Sequence, residues 1–219
     1  MKLKFIFCLT AFLGILLFCS SLASASAFTQ TEALNWANHK GKQILSILSS
    51  ENKSDKYTTL DRILDNDVDL DYAAKFVVGK YWKQMTSDQQ SKYLSLFRRY
   101  AKTVYRSYSL DLQKGEVYFT TDKAIITKPD TADVFCTIYI NSVEKNVDEA
   151  SKGGINTIFT LHKQNNTIKV RNLKIEESSF LSAYRQRFYK MIHEDSEDEI
   201  DWFLEDFETI VTDNEIENW

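Results

Sequence analysis

The spacing of apolar residues changes once along this chain, and that change most limits the folds it can adopt. Between about residues 31 and 110 apolar side chains recur every three or four positions, which is typical of amphipathic helices. From Val117 to Glu176 they alternate with polar residues, as in strands with one buried face. Because the helices precede the strands, the sequence predicts an α+β fold, with N-terminal helices packed on a curled antiparallel sheet in a single domain.

The most apolar helical part of the chain is residues 70–110, which we interpret as two helices joined by a turn. Asp69 or Asp71 is placed to cap the first helix, since a carboxylate accepts hydrogen bonds from the free backbone N–H groups of a first turn. Thr86 precedes Gln89 by three residues, the spacing of a capping box, so the second helix is predicted to begin there.

Two further helices are predicted before this pair, one from Thr31 to about Ser49 and a short one that carries Leu60 and Leu64. Four aspartates follow at alternate positions between residues 65 and 71. They could suggest a calcium loop, but the glycine and the distal glutamate of an EF-hand are missing. Helix capping and solvation account for them better.

The predicted strands carry two local signals. Asn165 and Asn166 separate the last two long strands and suit a tight hairpin, because asparagine tolerates positive φ. In the final strand the apolar positions change face between Val170 and Leu173, which predicts a β-bulge that bends the sheet.

Residues 1–27 have the pattern of a secretory signal peptide. Lys2 and Lys4 precede an apolar run from residue 5 to residue 18, and alternating alanines at 23–27 offer cleavage sites. A transmembrane anchor is the alternative, but the run is shorter than the roughly 20 residues that span a bilayer. A lipoprotein signal at Cys19 is disfavoured because Phe18 precedes it. We therefore expect a mature chain that begins near Phe28 in an oxidising compartment.

The charge of the chain argues against nucleic acid as a partner. The sequence holds 27 basic and 31 acidic residues; two lysines leave with the signal, so 25 basic residues face 31 acidic ones and the mature net charge is −6. Nucleic-acid binding and adsorption to an anionic membrane both need a basic surface. Cys136 is the one cysteine after the signal peptide, so it has no partner for an intramolecular disulfide, and we interpret it as a small core residue.

Two motifs carry a family resemblance. Residues 79–82 read Gly-Lys-Tyr-Trp and lead to Thr86 and Gln89, while residues 184–188 read Tyr-Arg-Gln-Arg-Phe after the last strand. Together they resemble the MlaC family of periplasmic phospholipid-binding proteins, also called the toluene-tolerance or Ttg-type family. This chain departs from the family pattern at four positions: Ser87 for Pro, Ile168 for Trp, Asn172 for Asp and Glu177 for Gly.

The resemblance implies a cavity architecture of the NTF2-like type and a periplasmic location. It also implies a glycerophospholipid ligand and two partners: an inner-membrane ABC transporter with its Mce-domain protein, and an outer-membrane lipoprotein complex. We expect a monomeric carrier that needs no cofactor.

Acyl chains in such a carrier must be enclosed in an apolar cavity. Each buried methylene is worth about 0.8 kcal/mol, so exposed chains would be costly in water. Ordinary core packing is the alternative interpretation of the same side chains. We predict that the cavity is lined by Val78, Tyr81, Trp82, Phe97, Ala101, Val104 and Tyr105 from the helices, and by Ile138, Phe159, Val170, Tyr184 and Phe188 from the sheet and the helix after it.

The sequence does not indicate an enzyme. His39, His162 and His193 are scattered, and no phosphate-binding glycine loop or nucleophile motif is present. Asn172 occupies the position where the family has an inward aspartate, and an amide cannot act as a general base. Two alternatives remain open: a cavity for another apolar ligand, such as a hopanoid or sterol-like lipid, and a cavity enzyme with an inward carboxylate or histidine.

The end of the chain is strongly acidic. Residues 194–219 hold twelve acidic residues and no Lys or Arg, yet their apolar residues keep helical spacing. An apolar stripe of this kind favours docking on the domain over binding a separate partner. We predict a lipid-binding domain over residues 28–211 and an acidic tail over 212–219.

Overall fold

The computed structural model describes residues 27–49, 53–107, 117–140 and 154–218. Apart from Ala27, the predicted signal peptide lies outside the described residues. The helices are α1 (Gln30–Leu48), α2 (Lys53–Asp67), α3 (Leu70–Val78, extended by a 3₁₀ turn, Gly79–Lys83), α4 (Ser87–Arg106), α5 (Phe180–Lys190, extended by a π-helical turn, Met191–Asp195) and α6 (Ile200–Asn218). The strands are β1 (Val117–Lys128), β2 (Thr131–Ile140), β3 (Ile155–Gln164), β4 (Thr167–Ile175) and β5 (Ser178–Ser179).

The five strands form one antiparallel sheet in the order β1-β2-β3-β4-β5, so the predicted α+β single-domain fold is confirmed. Each strand pairs with the next one along the chain, and the connections between them are short where the structure describes them. None of the helices in the described ranges is both long and apolar enough to cross a membrane.

The local signals in the sequence appear in the structure. Asp69 caps α3 by accepting a hydrogen bond from the backbone N–H of Tyr72, and Thr86 and Gln89 form both bonds of a capping box at the start of α4. Asn165 and Asn166 turn between β3 and β4 with φ values of 49° and 63°. The structure confirms these predictions. They could be made from the sequence because each depends on bonds within a few residues.

The predicted bulge in β4 is also present. Val170 pairs with Leu161 and Asn172 pairs with Thr160, so Arg171 is left without a partner on β3. An extra residue in one strand increases the local bend of a sheet. Beside the bulge, the segment between α2 and α3 touches β4: Val68 forms a bridge with Val170.

The four aspartates of residues 65–71, at the end of α2 and the start of α3, each pair with a cationic side chain on another element. Their oxygen–nitrogen distances lie between 2.6 and 2.8 Å. The sequence predicts capping and solvation for this stretch; the structure shows ion pairing as well as capping. The pairs are Asp65 with Lys102, Asp67 with Lys40, Asp69 with Arg171, and Asp71 with Arg98.

The core is divided into two parts. The larger one lies between the helices α3, α4, α5 and α6. It contains an aromatic cluster with ring centroids 5.2 to 6.2 Å apart, made of Tyr93, Phe97, Tyr100, Phe188, Phe203 and Phe207. The smaller one packs α1 on the sheet and includes Ala33, Ala37, Val134, Cys136 and Leu161.

Helix α6 docks on the domain, as its apolar stripe predicts. Phe203, Phe207 and Val211 are fully buried. The helix continues without a break past residue 211 to Asn218, and Glu215 accepts two hydrogen bonds from Arg99, at 2.9 and 2.6 Å. Residues 212–218 are thus the end of a packed helix, and no boundary separates them from the domain.

Candidate functional site

A cavity of about 560 Å³ lies between the helices and the sheet. Its wall includes members of both core clusters, for example Ala37 and Cys136 from the smaller one and Val77 and Tyr100 from the larger. The volume is within the roughly 300–1,000 Å³ that is usual for ligand sites. Because the lining is overwhelmingly apolar, the space suits an apolar ligand.

Helical and strand periodicity produce the wall. On α3 the lining residues are Leu70, Ala73 and Val77, which lie on one face because they are three and four positions apart. Across the cavity, Ile138 of β2 and Phe159 of β3 contribute from the sheet. The bulge bends β4 where four consecutive residues, 170–173, reach the wall.

The structure places eight of the twelve sequence-predicted residues in the cavity wall. They come from α4, from three strands and from α5: Phe97, Ala101, Val104, Tyr105, Ile138, Phe159, Val170 and Tyr184. Their role in binding a ligand stays a prediction.

The other four residues do not line the cavity, so the prediction that they do is wrong. Val78 follows Val77 by one position and is buried within the larger core cluster. Phe188 is a second layer behind Phe97 and Tyr100, with its ring 5.9 Å from each. Tyr81 and Trp82 belong to the 3₁₀ turn after α3, where Trp82 packs 6.4 Å from Tyr93.

The contribution of α1 and α2 to the wall is not evident from the sequence. Apolar spacing predicts both helices, but it does not reveal whether a helix face packs on a core or borders a cavity. Both supply a large part of the wall, as do two residues at the start of α5; the missed residues include Trp36, Gly41, Ile44, Leu45, Leu48, Ile63, Leu64, Phe180 and Leu181.

Comparison with known proteins decides the family. A family model described as MlaC protein matches residues 40–208, which is most of the chain. The chain belongs to the MlaC family. No curated protein matches it significantly.

Among solved structures, the fold of this MlaC-family protein is similar to that of a phospholipid-binding protein from Ralstonia solanacearum in complex with a phospholipid. The TM-score is 0.61 and 13% of positions are identical, over 85% of this chain and 99% of the other. At 13% identity, this similarity is evidence for a shared fold alone.

The Gly-Lys-Tyr-Trp segment of this MlaC-family chain contacts α5 and the segment before α6, and it is not part of the cavity wall. Gly79 has a φ of 51°, and a Cβ there would lie 2.5 Å from the hydroxyl oxygen of Tyr189. That hydroxyl accepts a hydrogen bond from the backbone N–H of Lys80 at 3.2 Å and another from Arg185 at 3.0 Å. Glycine is needed here because the backbone is left-handed and closely approached.

Tyr81 completes the same junction. Its hydroxyl donates to Asp198 at 2.5 Å, and His193 Nδ1 is 2.9 Å from the other carboxylate oxygen. Burial, together with the bond to Asp198, raises the pKa of Tyr81 to about 12. In the opposite direction, the bonds from Tyr81 and His193 hold the pKa of Asp198 below its usual value. The motif is therefore a docking site for the segment that precedes α6.

Few polar groups face the cavity. Asn172 accepts hydrogen bonds from the hydroxyl of Ser179 at 3.2 Å and from the backbone N–H of Leu181 at 3.4 Å, so it holds the start of α5 against the sheet. Burial raises the pKa of the Cys136 thiol to about 12, which keeps it neutral. Cys136 thus behaves as the small core residue that the sequence indicates.

The histidines do not contribute to the wall. His162 is buried in β3 with Nδ1 3.6 Å from Asp130, while His39 and His193 are exposed. In the described part of the chain, no group of His, Cys, Asp and Glu side chains is placed to hold a metal ion.

Proposed function

We propose that this protein is a periplasmic carrier that encloses the acyl chains of a glycerophospholipid in its cavity. The observation that carries the proposal is the apolar space of about 560 Å³, walled by helices on one side and a bent sheet on the other. Enclosing acyl chains there removes methylenes from water, each worth about 0.8 kcal/mol. Membership of the MlaC family and the fold shared with a phospholipid-binding protein support the choice of phospholipid.

The proposal includes transport. The carrier moves lipid between the outer and inner membranes as the soluble component of an ABC-transporter-linked system. It receives or delivers lipid at an outer-membrane lipoprotein complex and at a transporter with an Mce-domain protein. The signal-peptide pattern of residues 1–27 supports the proposed periplasmic location, and the net charge of −6 on the remaining chain disfavours direct adsorption to anionic membranes.

No enzymatic role is part of the proposal. The inward position that the family fills with aspartate holds Asn172, whose amide oxygen is engaged by Ser179 and Leu181. An amide cannot accept the proton that general-base catalysis requires.

Extraction and mass spectrometry of the ligand test the first part of the proposal. The full-length gene is expressed with its own leader, and the protein is purified from the periplasmic fraction without detergent. We expect about stoichiometric glycerophospholipid and a mature N-terminus near Phe28. Protein free of lipid would contradict the proposal, and a hopanoid or sterol-like ligand would replace phospholipid with another apolar cargo.

Handover is tested separately with vesicles. We expect the purified carrier to stay in the supernatant when anionic vesicles are sedimented. It should give up labelled lipid only when the transporter complex is reconstituted in those vesicles. Tight binding to bare vesicles would contradict transfer through protein docking.

A further inference from the structure

One ion pair stands in the apolar wall of the cavity. Lys40 of α1 and Asp67 at the end of α2 both line the space, and Lys40 Nζ is 2.6 Å from Asp67 Oδ2. Their side chains are 23% and 16% exposed, so both charges are largely withdrawn from bulk water. The pair joins two helices that contribute much of the wall.

The position of this pair differs from that of the other ion pairs in the described ranges. Arg171 also borders the cavity, but its partner Asp69 and the ring of Tyr72, 4.6 Å from the guanidinium, are not part of the wall. Among the ion pairs of the described residues, the Lys40–Asp67 pair is the one whose two members both line the cavity. A ligand in that space can therefore reach both charges.

Stability alone does not explain an ion pair at this place. Withdrawing two charges from water costs about as much as their attraction returns, and apolar residues of similar size often serve a fold equally well. The pair has no net charge, but it presents a cation and a carboxylate side by side. Its electrostatic complement is a ligand group that carries one negative and one positive charge.

We propose that Lys40 and Asp67 bind the head group of a zwitterionic phospholipid, with the phosphate on Lys40 and the ammonium group on Asp67. This inference rests on the proposed phospholipid carrier function and names the class of lipid it takes. A head group with a phosphate alone would take Lys40 and leave Asp67 as an uncompensated carboxylate, which is costly where water is scarce. A zwitterionic head group gives both side chains a new partner.

The test uses competition between two lipids with identical acyl chains. Delipidated full-length mature protein is incubated with equimolar vesicles of phosphatidylethanolamine, which is zwitterionic, and phosphatidylglycerol, which is anionic. The protein is re-isolated, its bound lipids are counted by mass spectrometry, and circular dichroism verifies its fold. We expect the wild type to be enriched in phosphatidylethanolamine.

Three variants separate the roles of the pair. Asp67→Asn leaves Lys40 without its carboxylate and should shift the ratio toward phosphatidylglycerol by about tenfold, equivalent to about 1.4 kcal/mol. Lys40→Met keeps an apolar stem and should lower the total lipid bound, since both lipids carry the phosphate. Lys42→Met, an exposed lysine two positions along the same helix that does not line the cavity, should match the wild type.

The outcomes distinguish the inference from the proposed function. Phospholipid uptake without a preference, or an Asp67→Asn protein with the wild-type ratio, would overturn the head-group site and leave the carrier function standing. A wild type that takes up neither lipid would overturn both. If Lys40→Met does not fold, the ratio in Asp67→Asn still decides the inference.

Discussion

Tyr81 donates a hydrogen bond to Asp198, 117 residues later in the chain, across a distance of 2.5 Å. This bond connects the turn after α3 to the segment that leads into α6. It explains why a tyrosine in the Gly-Lys-Tyr-Trp motif does not contact the cavity: its side chain holds the C-terminal helix in place.

The first prediction concerns the junction. Tyr81→Phe removes the hydroxyl and keeps the ring, so it should lower the free energy of unfolding by about 1 kcal/mol, the usual net value of one hydrogen bond. Bound lipid per protein should not change, because the side chain lies outside the cavity wall. Chemical unfolding and lipid extraction measure the two quantities. Tyr118→Phe, at an exposed tyrosine of β1, is the control and should change neither.

The second prediction is the pH dependence of that bond. The folded-state pKa of Asp198 lies below its usual 3.8, chiefly because Tyr81 donates to it. A depressed carboxylate pKa stabilises the fold above the unfolded pKa, and this contribution is lost as the pH falls through the folded pKa. The melting temperature of Asp198→Asn should therefore be below that of the wild type at neutral pH, and the gap should narrow below about pH 4.

Asparagine suits this test because Asp198 has a φ of 66°, a conformation that asparagine adopts more readily than most residues. Asp213→Asn, at an exposed site on α6, serves as the control. If the difference in melting temperature between the wild type and Asp198→Asn stayed constant down to about pH 2.5, the charge of Asp198 would not contribute to stability.

The third prediction compares two phenylalanines of the aromatic cluster. Phe188 is fully buried behind the wall, so Phe188→Ala should cost about 3–5 kcal/mol, as large-to-small core changes do. Phe97 borders the cavity, and flexible acyl chains can partly fill the space that Phe97→Ala leaves. We expect a smaller loss for Phe97→Ala in lipid-loaded protein, measured by denaturant unfolding. Equal losses would mean that no ligand fills the space beside Phe97.

The fourth prediction concerns cavity volume. Ala101 lies in the wall on α4, so Ala101→Trp places an indole in the space proposed for acyl chains. The variant should fold with a melting temperature near that of the wild type and carry markedly less lipid, as counted by mass spectrometry. Ala183→Trp, on the exposed side of α5, should carry the full amount. A folded Ala101→Trp protein with full lipid would remove Ala101 from the binding site.

The fifth prediction concerns the end of α6. Glu215→Gln removes a carboxylate that Arg99 binds through two nitrogens and should cost up to about 1 kcal/mol at low salt, since the pair is partly exposed. The loss should shrink in high salt because screening already weakens the wild-type pair. Glu217→Gln, exposed two residues further on, is the control. Identical melting temperatures for all three proteins would mean that the pair does not stabilise the helix.

The site could be predicted only in part from the sequence. The apolar stripe of α4 contributed Phe97, Ala101 and Val104 correctly, because a helix presents every third or fourth residue on one side. The same reasoning failed for Phe188. A residue that faces a packed cluster and one that faces a cavity are equally apolar, so periodicity cannot separate them.

For helices α1 and α2, the sequence likewise does not show that their apolar faces border the cavity. Their apolar faces were visible in the sequence, but their place over the sheet depends on contacts with residues far away in the chain, such as the bridge between Val68 and Val170. Those contacts have no local sequence signal.

Features whose interactions are local follow directly from the amino-acid sequence. The cap at Asp69, the capping box at Thr86, the hairpin at Asn165 and the bulge at Arg171 all depend on bonds or side-chain parity within a few residues. The order of helices before strands determined the fold class in the same way, because each element's period is set by its own geometry. Which helix faces border the cavity, and the contact of Lys40 with Asp67 there, depend instead on how elements distant in the chain pack together, so they required the three-dimensional structure.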